Sequence, residues 1–344
     1  MDYRISIVIA ILLAISPVIH SIDFEDYDED VAALLREYQN QSNPDQSYTP
    51  SILSYSTAKT SKTIVDFERG IIYMNASTPE TLRDAIIDVV LTQIDPSVID
   101  AQTAIDFGLI NEETNKPFFW GQVLDHKGKP ISSRRPALDF ANFLLRKKTF
   151  SDGRFEVTIR MIDAHKKIAG AKYVSFVKAA CLEYSVSSSL VMAIMETESS
   201  FNPLARSRSN ALGLMQVKAN TAGRDYFSLI KGYKHTPSSK FLYSPKNNIE
   251  VATGYLNILS SRYLRGIEDP KKLEYAMISS YNGGAGNLWK SLDKSGNKTK
   301  ALKRINQMST KQFYWFLTNR HIRQETREYL KKVNDRKSKY FSYR

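Results

Sequence analysis

The sequence predicts an α+β domain followed by an all-α domain, and three observations support this fold class. Residues 60–163 contain β-branched and alternating stretches that are typical of strands. After Asp163, apolar residues recur at the three- and four-residue spacing of helices. The chain has 344 residues, of which 42% are hydrophobic, so it is long enough for two domains with cores of their own.

The elements of the first domain follow from local patterns. Apolar residues on both sides of a turn at Gly70 predict a hairpin, and a helical apolar pattern that begins near Pro79 predicts a helix. A second turn is expected near Gly128. The predicted elements are hairpins over 60–75 and 118–131, a helix over 79–94 and a strand over 154–162.

The beginning of the chain is typical of a secretory signal peptide. An uninterrupted apolar run, residues 7–15, follows Arg4 and precedes the small residue Ser21. We therefore expect a periplasmic protein, which could associate further with the outer membrane or the sacculus. The expected division is a signal peptide over 1–21, an α+β domain over 22–163, and an all-α domain over 164–344 that ends in a basic tail.

An uncleaved N-terminal membrane anchor is the alternative to a cleaved signal. The uncharged stretch from Ile5 to Ile22 approaches the length that spans a membrane. Lipid attachment is not expected, because a lipoprotein needs a cysteine at its cleavage site and the single cysteine of this chain is Cys181. A single cysteine also excludes an intramolecular disulfide and a multi-cysteine metal cluster.

The net charge of the chain indicates which classes of partner it is expected to bind. Forty-eight basic and 36 acidic residues give a formal charge of +12, which favours nucleic acid, membrane surfaces or acidic wall polymers as partners. Nucleic acid is not expected, because no recognition motif is visible. The five histidines are scattered and no phosphate-binding loop occurs, so we expect neither a metal nor a cofactor. The basic residues that follow Lys331 predict a solvated terminus rather than a binding arm.

One carboxylate has the pattern of a general acid. In the helix predicted over 187–200, Glu198 falls within the apolar stripe, whereas Glu196 points the other way. Desolvation would raise the pKa of Glu198, as a general acid requires. A structural ion pair is the alternative interpretation. Because Phe201-Asn202-Pro203 ends the helix, Glu198 should lie beside a loop, where a cleft can form.

Four motifs occur in order after this point. They are ETESSFNPLARSRSNALGLMQV (196–217), NNIEVATGYL (247–256), SYNGGAG (280–286) and ETREYLKKV (325–333). Together they resemble the lytic transglycosylase domain that shares its fold with goose-type lysozyme. Upstream, YSTAKTSKTIVDFERGIIYMNAS and KPFFWGQVLDHKGKP resemble the N-terminal domain of the membrane-bound lytic murein transglycosylase C family. The resemblance therefore implies a lysozyme-like catalytic domain and an enzyme that degrades peptidoglycan.

The resemblance implies that Glu198 is the single general acid and base. It would protonate the glycosidic oxygen between N-acetylmuramic acid and N-acetylglucosamine, and would then take the proton of the muramic 6-hydroxyl. The product would carry a 1,6-anhydromuramic end. Tyr281 would face the reacting centre. The implied substrate-binding residues are Ser199, Ser207, Met215 as an apolar wall, Gln216, Asn282, Glu325 and Tyr329.

Two alternatives share these residues. A hydrolytic muramidase would use the same acid but would place water where the 6-hydroxyl attacks. A catalytically inactive peptidoglycan-binding protein would use the basic charge alone, although an unneeded buried carboxylate is costly. In each case the partner is the glycan strand of peptidoglycan, and other cell-wall proteins are possible further partners. The N-terminal domain is expected to position the catalytic domain on the sacculus or to dock a partner.

Overall fold

The structure, a computed structural model, describes residues 49–57, 60–92 and 116–343. The predicted signal peptide and the alternative anchor lie outside these residues. Within them, two separate hydrophobic cores form, one under a sheet and one among helices. We call the described residues up to 162 the sheet region and residues 163–343 the helical region. No helix in the described part of the chain is both long and apolar enough to cross a membrane.

The sheet region is built on a five-stranded antiparallel sheet with the strand order β1-β2-β3-β5-β4. The predicted hairpin over 60–75 is confirmed, since Asp66 pairs with Ile71 across a turn in which Gly70 has a φ of 70°. The strands are β1 (Ile52–Thr57), β2 (Ser61–Asp66), β3 (Ile71–Ala76), β4 (Thr149–Ser151) and β5 (Arg154–Arg160).

Two helices, α1 (Pro79–Leu91) and α2 (Arg134–Leu145), contact each other and complete this core. The predicted helix over 79–94 is confirmed as far as Leu91, and residues 93 and 94 lie outside the described part. The Thr78 side chain accepts a hydrogen bond from the Thr81 amide, so the helix starts with a capped end. The second predicted hairpin is wrong as a pair of strands, because residues 118–131 form isolated bridges around a turn at Gly128 instead.

The helical region contains a small two-stranded ribbon, β6 (Ala211–Leu212) with β7 (Val217–Lys218), but is otherwise helical as expected. Two π-helical turns, Ala219–Gly223 and Phe227–Lys231, flank the short helix Arg224–Tyr226. A third, Leu259–Tyr263, follows the helix Pro245–Ile258. The helices are α3 (His165–Ala171), α4 (Val174–Tyr184), α5 (Ser188–Ser199), α6 (Arg224–Tyr226), α7 (Ser239–Tyr243), α8 (Pro245–Ile258), α9 (Pro270–Gly283), α10 (Ala285–Leu292), α11 (Lys298–Gln307), α12 (Thr310–Arg320) and α13 (Gln324–Lys337).

Helix α5 lies at the centre of the second core. Every residue from Ser189 to Glu196 is at most 2% exposed, so the helix is buried on all sides rather than along one stripe. It contacts α3, α4, α13 and the 3₁₀ helix Ser338–Tyr343. Its C-cap, Ser200, and the next residue, Phe201, have φ values of 52° and 66°. The chain therefore leaves a fully enclosed helix through two left-handed residues.

The basic C-terminal segment does not form the solvated terminus that its charge predicts. The Arg336 guanidinium pairs with Glu68 at 2.8 Å, and the Lys337 ammonium pairs with Glu274. The Lys339 ammonium lies 3.0 Å from the Glu196 carboxylate. Glu196 does point away from Glu198, but it is only 1% exposed and lies within this ion-pair cluster.

The side chain of Asn248 on α8 holds the loop between β6 and β7 by hydrogen bonds. The Asn248 side chain donates to the carbonyls of Leu212 and Leu242, and it accepts from the Met215 amide at 2.8 Å. Gly213 has a φ of 72°, and a Cβ at this position would lie 2.7 Å from the Leu242 carbonyl oxygen and in contact with Asn248. The loop conformation therefore requires glycine here.

We predict that Gly213→Ala destabilises the protein by about 2–4 kcal/mol, because the left-handed backbone and the overlap with Asn248 both oppose a methyl group. Chemical denaturation measures the free energy of unfolding. Gly286→Ala is the control, since a Cβ at Gly286 meets no atom within 4 Å and the residue lies in α10. Equal stability of the two variants would contradict this account of the loop.

Candidate active site

Glu198 is the second-to-last residue of α5, and its side chain is partly buried beside α13. The Tyr329 hydroxyl donates a 2.7 Å hydrogen bond to Oε1 of Glu198. Tyr329 is itself only 7% exposed. The predicted acid and a predicted site tyrosine, which are 131 residues apart in the sequence, therefore meet directly.

Burial raises the pKa of Glu198 to about 8, from an ordinary value of 4.5. The negative charge of Glu325 acts in the same direction, whereas the Tyr329 hydrogen bond and the positive charge of Lys218 lower the pKa. Desolvation dominates these effects. The carboxyl group therefore holds its proton near neutral pH, as a general acid must.

Tyr281 lies on α9, and its hydroxyl donates a 2.7 Å hydrogen bond to the Met215 carbonyl. Its ring packs against Tyr255 with 6.1 Å between centroids. Burial and the nearby charge of Glu198 raise the pKa of Tyr281 well above 10, so the phenol stays neutral. The hydroxyl oxygen of Tyr281 is thus fixed at the loop that follows α5.

Asn282 connects α9 to the start of α13. Its amide nitrogen donates to Glu325 at 2.9 Å, and its amide oxygen accepts from the Thr326 hydroxyl at 2.6 Å. The Asn282 hydrogen bond is the main reason that the pKa of Glu325 is lowered, and Arg323 adds an ion pair at 3.1 Å. These contacts fix the turn of α13 that precedes Tyr329.

Gln216 lies at the same loop but faces inward. Its amide nitrogen donates to the carbonyls of Ala205 and Gly213, at 3.0 and 3.1 Å. Its amide oxygen is buried, and no partner for it occurs among the described residues. With a φ of 50°, Gln216 also adopts a left-handed backbone conformation.

Three predicted substrate-binding residues make structural contacts. Met215 is completely buried, and its side chain packs in the helical core. Ser199 is 1% exposed and donates to the carbonyls of Leu214 and Met195, so it ties the helix end to the loop. Ser207 is partly exposed, but its hydroxyl accepts from the Ala211 amide within its own loop.

Sequence reasoning missed three residues at this site, Lys218, Asn248 and Thr326. Lys218 is exposed and lowers the pKa of both Glu198 and Glu325 by its charge. Asn248 was within the second motif, where an amide among apolar residues could have indicated a buried loop anchor. The signal for Thr326 was its position beside Glu325. In the described part of the chain, no cluster of three or more histidine, cysteine, aspartate or glutamate residues could hold a metal ion.

Comparison with known families defines the class of protein. Residues 175–303 match the family described as "Transglycosylase SLT domain", which covers helix α5 and the loops around Glu198. The chain is therefore an enzyme of the lytic transglycosylase class. Residues 31–172 match "Membrane-bound lytic murein transglycosylase C, N-terminal domain".

Curated relatives give the particular family. The chain is 41% identical to membrane-bound lytic murein transglycosylase C of Edwardsiella ictaluri (strain 93-146) over 298 residues, 84% of this chain and 81% of the relative. The protein of the same name from Salmonella typhi is 41% identical over 297 residues, with the same coverage of both chains. The chain thus belongs to the membrane-bound lytic murein transglycosylase C family.

Among solved structures, the chain matches an inactive mutant of the lytic transglycosylase Slt from Pseudomonas aeruginosa. The match covers 49% of this chain and 24% of the Slt chain, with 22% sequence identity and a TM-score of 0.37.

We predict that Tyr329→Phe moves the alkaline limb of the activity profile to higher pH by about one unit, because a hydrogen bond donated to the carboxylate favours its charged form. Without that bond the pKa of Glu198 rises above its value of about 8. The rate of release from sacculi between pH 6 and 10 measures the shift. Tyr314→Phe is the control, because this ring packs on Tyr275. A limb that stays in place, or moves to lower pH, would contradict the assigned bond.

Proposed function

We propose that this enzyme cleaves the β-1,4 bond between N-acetylmuramic acid and N-acetylglucosamine in peptidoglycan and leaves 1,6-anhydromuramic ends. The observation that carries this proposal is the carboxyl group of Glu198, which burial keeps protonated and which a neutral phenol contacts at 2.7 Å. A single carboxyl group in this state can give a proton and later take one back. The similarity of the chain to lytic murein transglycosylases supports peptidoglycan as the substrate.

In the first step the Glu198 proton passes to the glycosidic oxygen, and the bond from that oxygen to C1 of the muramic residue breaks. The acetamido group of the substrate stabilises the positive charge that develops at C1. In the second step the muramic 6-hydroxyl oxygen forms a bond to C1, and its proton passes to the Glu198 carboxylate. The acid is regenerated and no water is consumed.

The other groups of the site fit these steps. The Tyr329 hydrogen bond stabilises the carboxylate that exists between the two proton transfers. The oxygen of Tyr281, whose proton is engaged by the Met215 carbonyl, is available to accept a hydrogen bond from a sugar. Asn282 and Glu325 hold α13 in place and lie at the edge of the site, where we assign them to substrate contact.

Two polar residues of the loops are assigned to the glycan. The amide oxygen of Gln216 is free to accept from a sugar or peptide N–H, although the loop must open slightly to expose it. Ser207 is exposed enough for its hydroxyl to contact a glycan strand that crosses the loop. We assign Ser199 and Met215 to the scaffold rather than to substrate.

We propose the domain division 1–21, 22–163 and 164–344 for the signal peptide, the N-terminal α+β domain and the catalytic domain. Peptidoglycan lies outside the inner membrane, so a secreted enzyme in the periplasm would meet its substrate. The curated relatives are named as membrane-bound, which supports association with a membrane. Sequencing the N-terminus of the mature protein tests the cleavage site.

We predict that Glu198→Gln abolishes product release, with at least about a thousandfold loss in rate, because an amide cannot transfer the proton. Mass spectrometry of muropeptides released from sacculi measures it. The unsubstituted protein should release products one water lighter than hydrolytic ones. Reducing ends would establish a muramidase, and binding without release would establish an inactive wall-binding protein. Glu328→Gln, an exposed position one residue from Tyr329, is the control and should release product normally.

We also predict that Glu198→Gln gains stability relative to the unsubstituted protein as pH rises. The folded protein holds the Glu198 proton up to about pH 8, whereas the unfolded chain loses it near 4.5, so ionisation costs folding stability across that window. Glutamine does not ionise. Melting temperatures of both proteins at pH 5 and pH 9 measure the effect, and a difference that shrinks towards pH 9 would contradict the raised pKa.

A further inference from the structure

The turn of the first hairpin reaches the end of the catalytic helix. Glu68 lies in the turn between β2 and β3, and the Asp66 carboxylate fixes this turn by accepting from the amides of Glu68 and Arg69, both at 2.9 Å. Gly70 completes the turn and packs so closely on His165 that a Cβ there would lie 2.8 Å from the imidazole ring. Glu68 is thus presented to the helical region by a rigid turn.

The Glu68 carboxylate contacts three elements of the helical region. It accepts a hydrogen bond from the hydroxyl of Ser200, the C-cap of α5. It also pairs with Lys166 on α3 at 2.6 Å and with Arg336 on α13 at 2.8 Å. These cations and the Ser200 bond outweigh partial burial and lower the pKa of Glu68, so the carboxylate is charged at neutral pH.

Arg336 extends this contact to the catalytic helix. The same guanidinium that pairs with Glu68 donates to the Glu196 carbonyl at 2.8 Å and lies 3.6 Å from the Glu196 carboxylate. A cation at the C-terminal carbonyls of a helix interacts favourably with the helix dipole. Since α13 also carries Tyr329, Glu68 contacts both helices that hold the Glu198–Tyr329 pair.

The helix end needs such support. Ser200 and Phe201 both adopt left-handed conformations that side chains other than glycine and asparagine rarely take. Such conformations persist when surrounding contacts determine them. Here the sheet region supplies two such contacts. The Glu68 carboxylate accepts from the Ser200 hydroxyl, and the Pro50 carbonyl accepts from the side-chain amide of Asn202 at 2.9 Å.

We propose that Glu68 is a positioning residue for Glu198, so that the sheet region sets the placement of the catalytic carboxyl group. This proposal rests on the assignment of Glu198 as the acid and base above. Glu68 does not touch the substrate. It holds the last turn of α5 against α13, and its loss lets Glu198 drift from Tyr329 and from the glycosidic oxygen.

The test compares Glu68→Ala with Glu80→Ala, an exposed carboxylate of the same region in α1. Misplacement of a catalytic group lowers the rate more than it lowers binding, so Glu68→Ala should reduce kcat about tenfold and leave KM within about twofold. Glu68→Gln should recover part of the rate, because its amide oxygen still accepts from Ser200. A kcat for Glu68→Ala equal to that of Glu80→Ala would overturn the proposal.

A second measurement does not depend on activity. Hydrogen exchange of the backbone amides in residues 196–202 should be faster in Glu68→Ala than in Glu80→Ala, and unchanged exchange would overturn the proposal. If the unsubstituted protein released no anhydro products, the proposed function would fail, whereas this exchange would still decide the role of Glu68.

Ser200→Ala removes the same contact from the other side and serves if Glu68→Ala does not fold. The contact that Ser200→Ala removes is already lost in Glu68→Ala, so the double variant should lose no more kcat than the more affected single variant. Losses that multiply would mean that Glu68 and Ser200 act independently, against the proposal.

Discussion

The active site depends on the way a buried helix ends with two carboxylates in different surroundings. Glu196 receives the ammonium of Lys339 at 3.0 Å and the hydroxyl of Tyr340 at 2.7 Å, with Arg336 close by. Glu198, two residues further along the helix, receives a neutral phenol instead. Both carboxylates are desolvated, but within the described part of the chain only Glu196 forms ion pairs that compensate the cost of its desolvation. The difference in partners places one carboxylate in an ion-pair cluster and leaves the other with a raised pKa, as the proposed proton donor requires.

The sequence predicted the features that depend on local pattern. The hairpin at Gly70, the helix at Pro79 and the strand that contains Val157 all follow from spacing and turn residues, and the structure contains each of them. The position of Glu198 at a helix end also followed from the stop at Pro203. Each of these elements is defined by residues that are close together in the sequence, so periodicity and turn residues are sufficient to predict it.

Features that depend on packing could not be read in the same way. A helical wheel shows which residues share a face of α5, but it does not show that α3, α4 and α13 enclose every face. Glu196 therefore looked like a surface residue and is buried among cations. The resemblance implied that Met215 and Ser199 bind substrate, but a motif carries no information on burial, and the structure buries both residues.

The partners of Glu198 and Glu68 lie far along the chain, and this sequence separation has a kinetic meaning. Tyr329 is 131 residues from Glu198, and Arg336 is 268 residues from Glu68. Contacts between distant residues cost loop-closure entropy, and a large share of such contacts makes folding slower. The Glu198–Tyr329 contact therefore requires that both α5 and α13 are in place, so the site is complete only in a chain that has folded across this whole span.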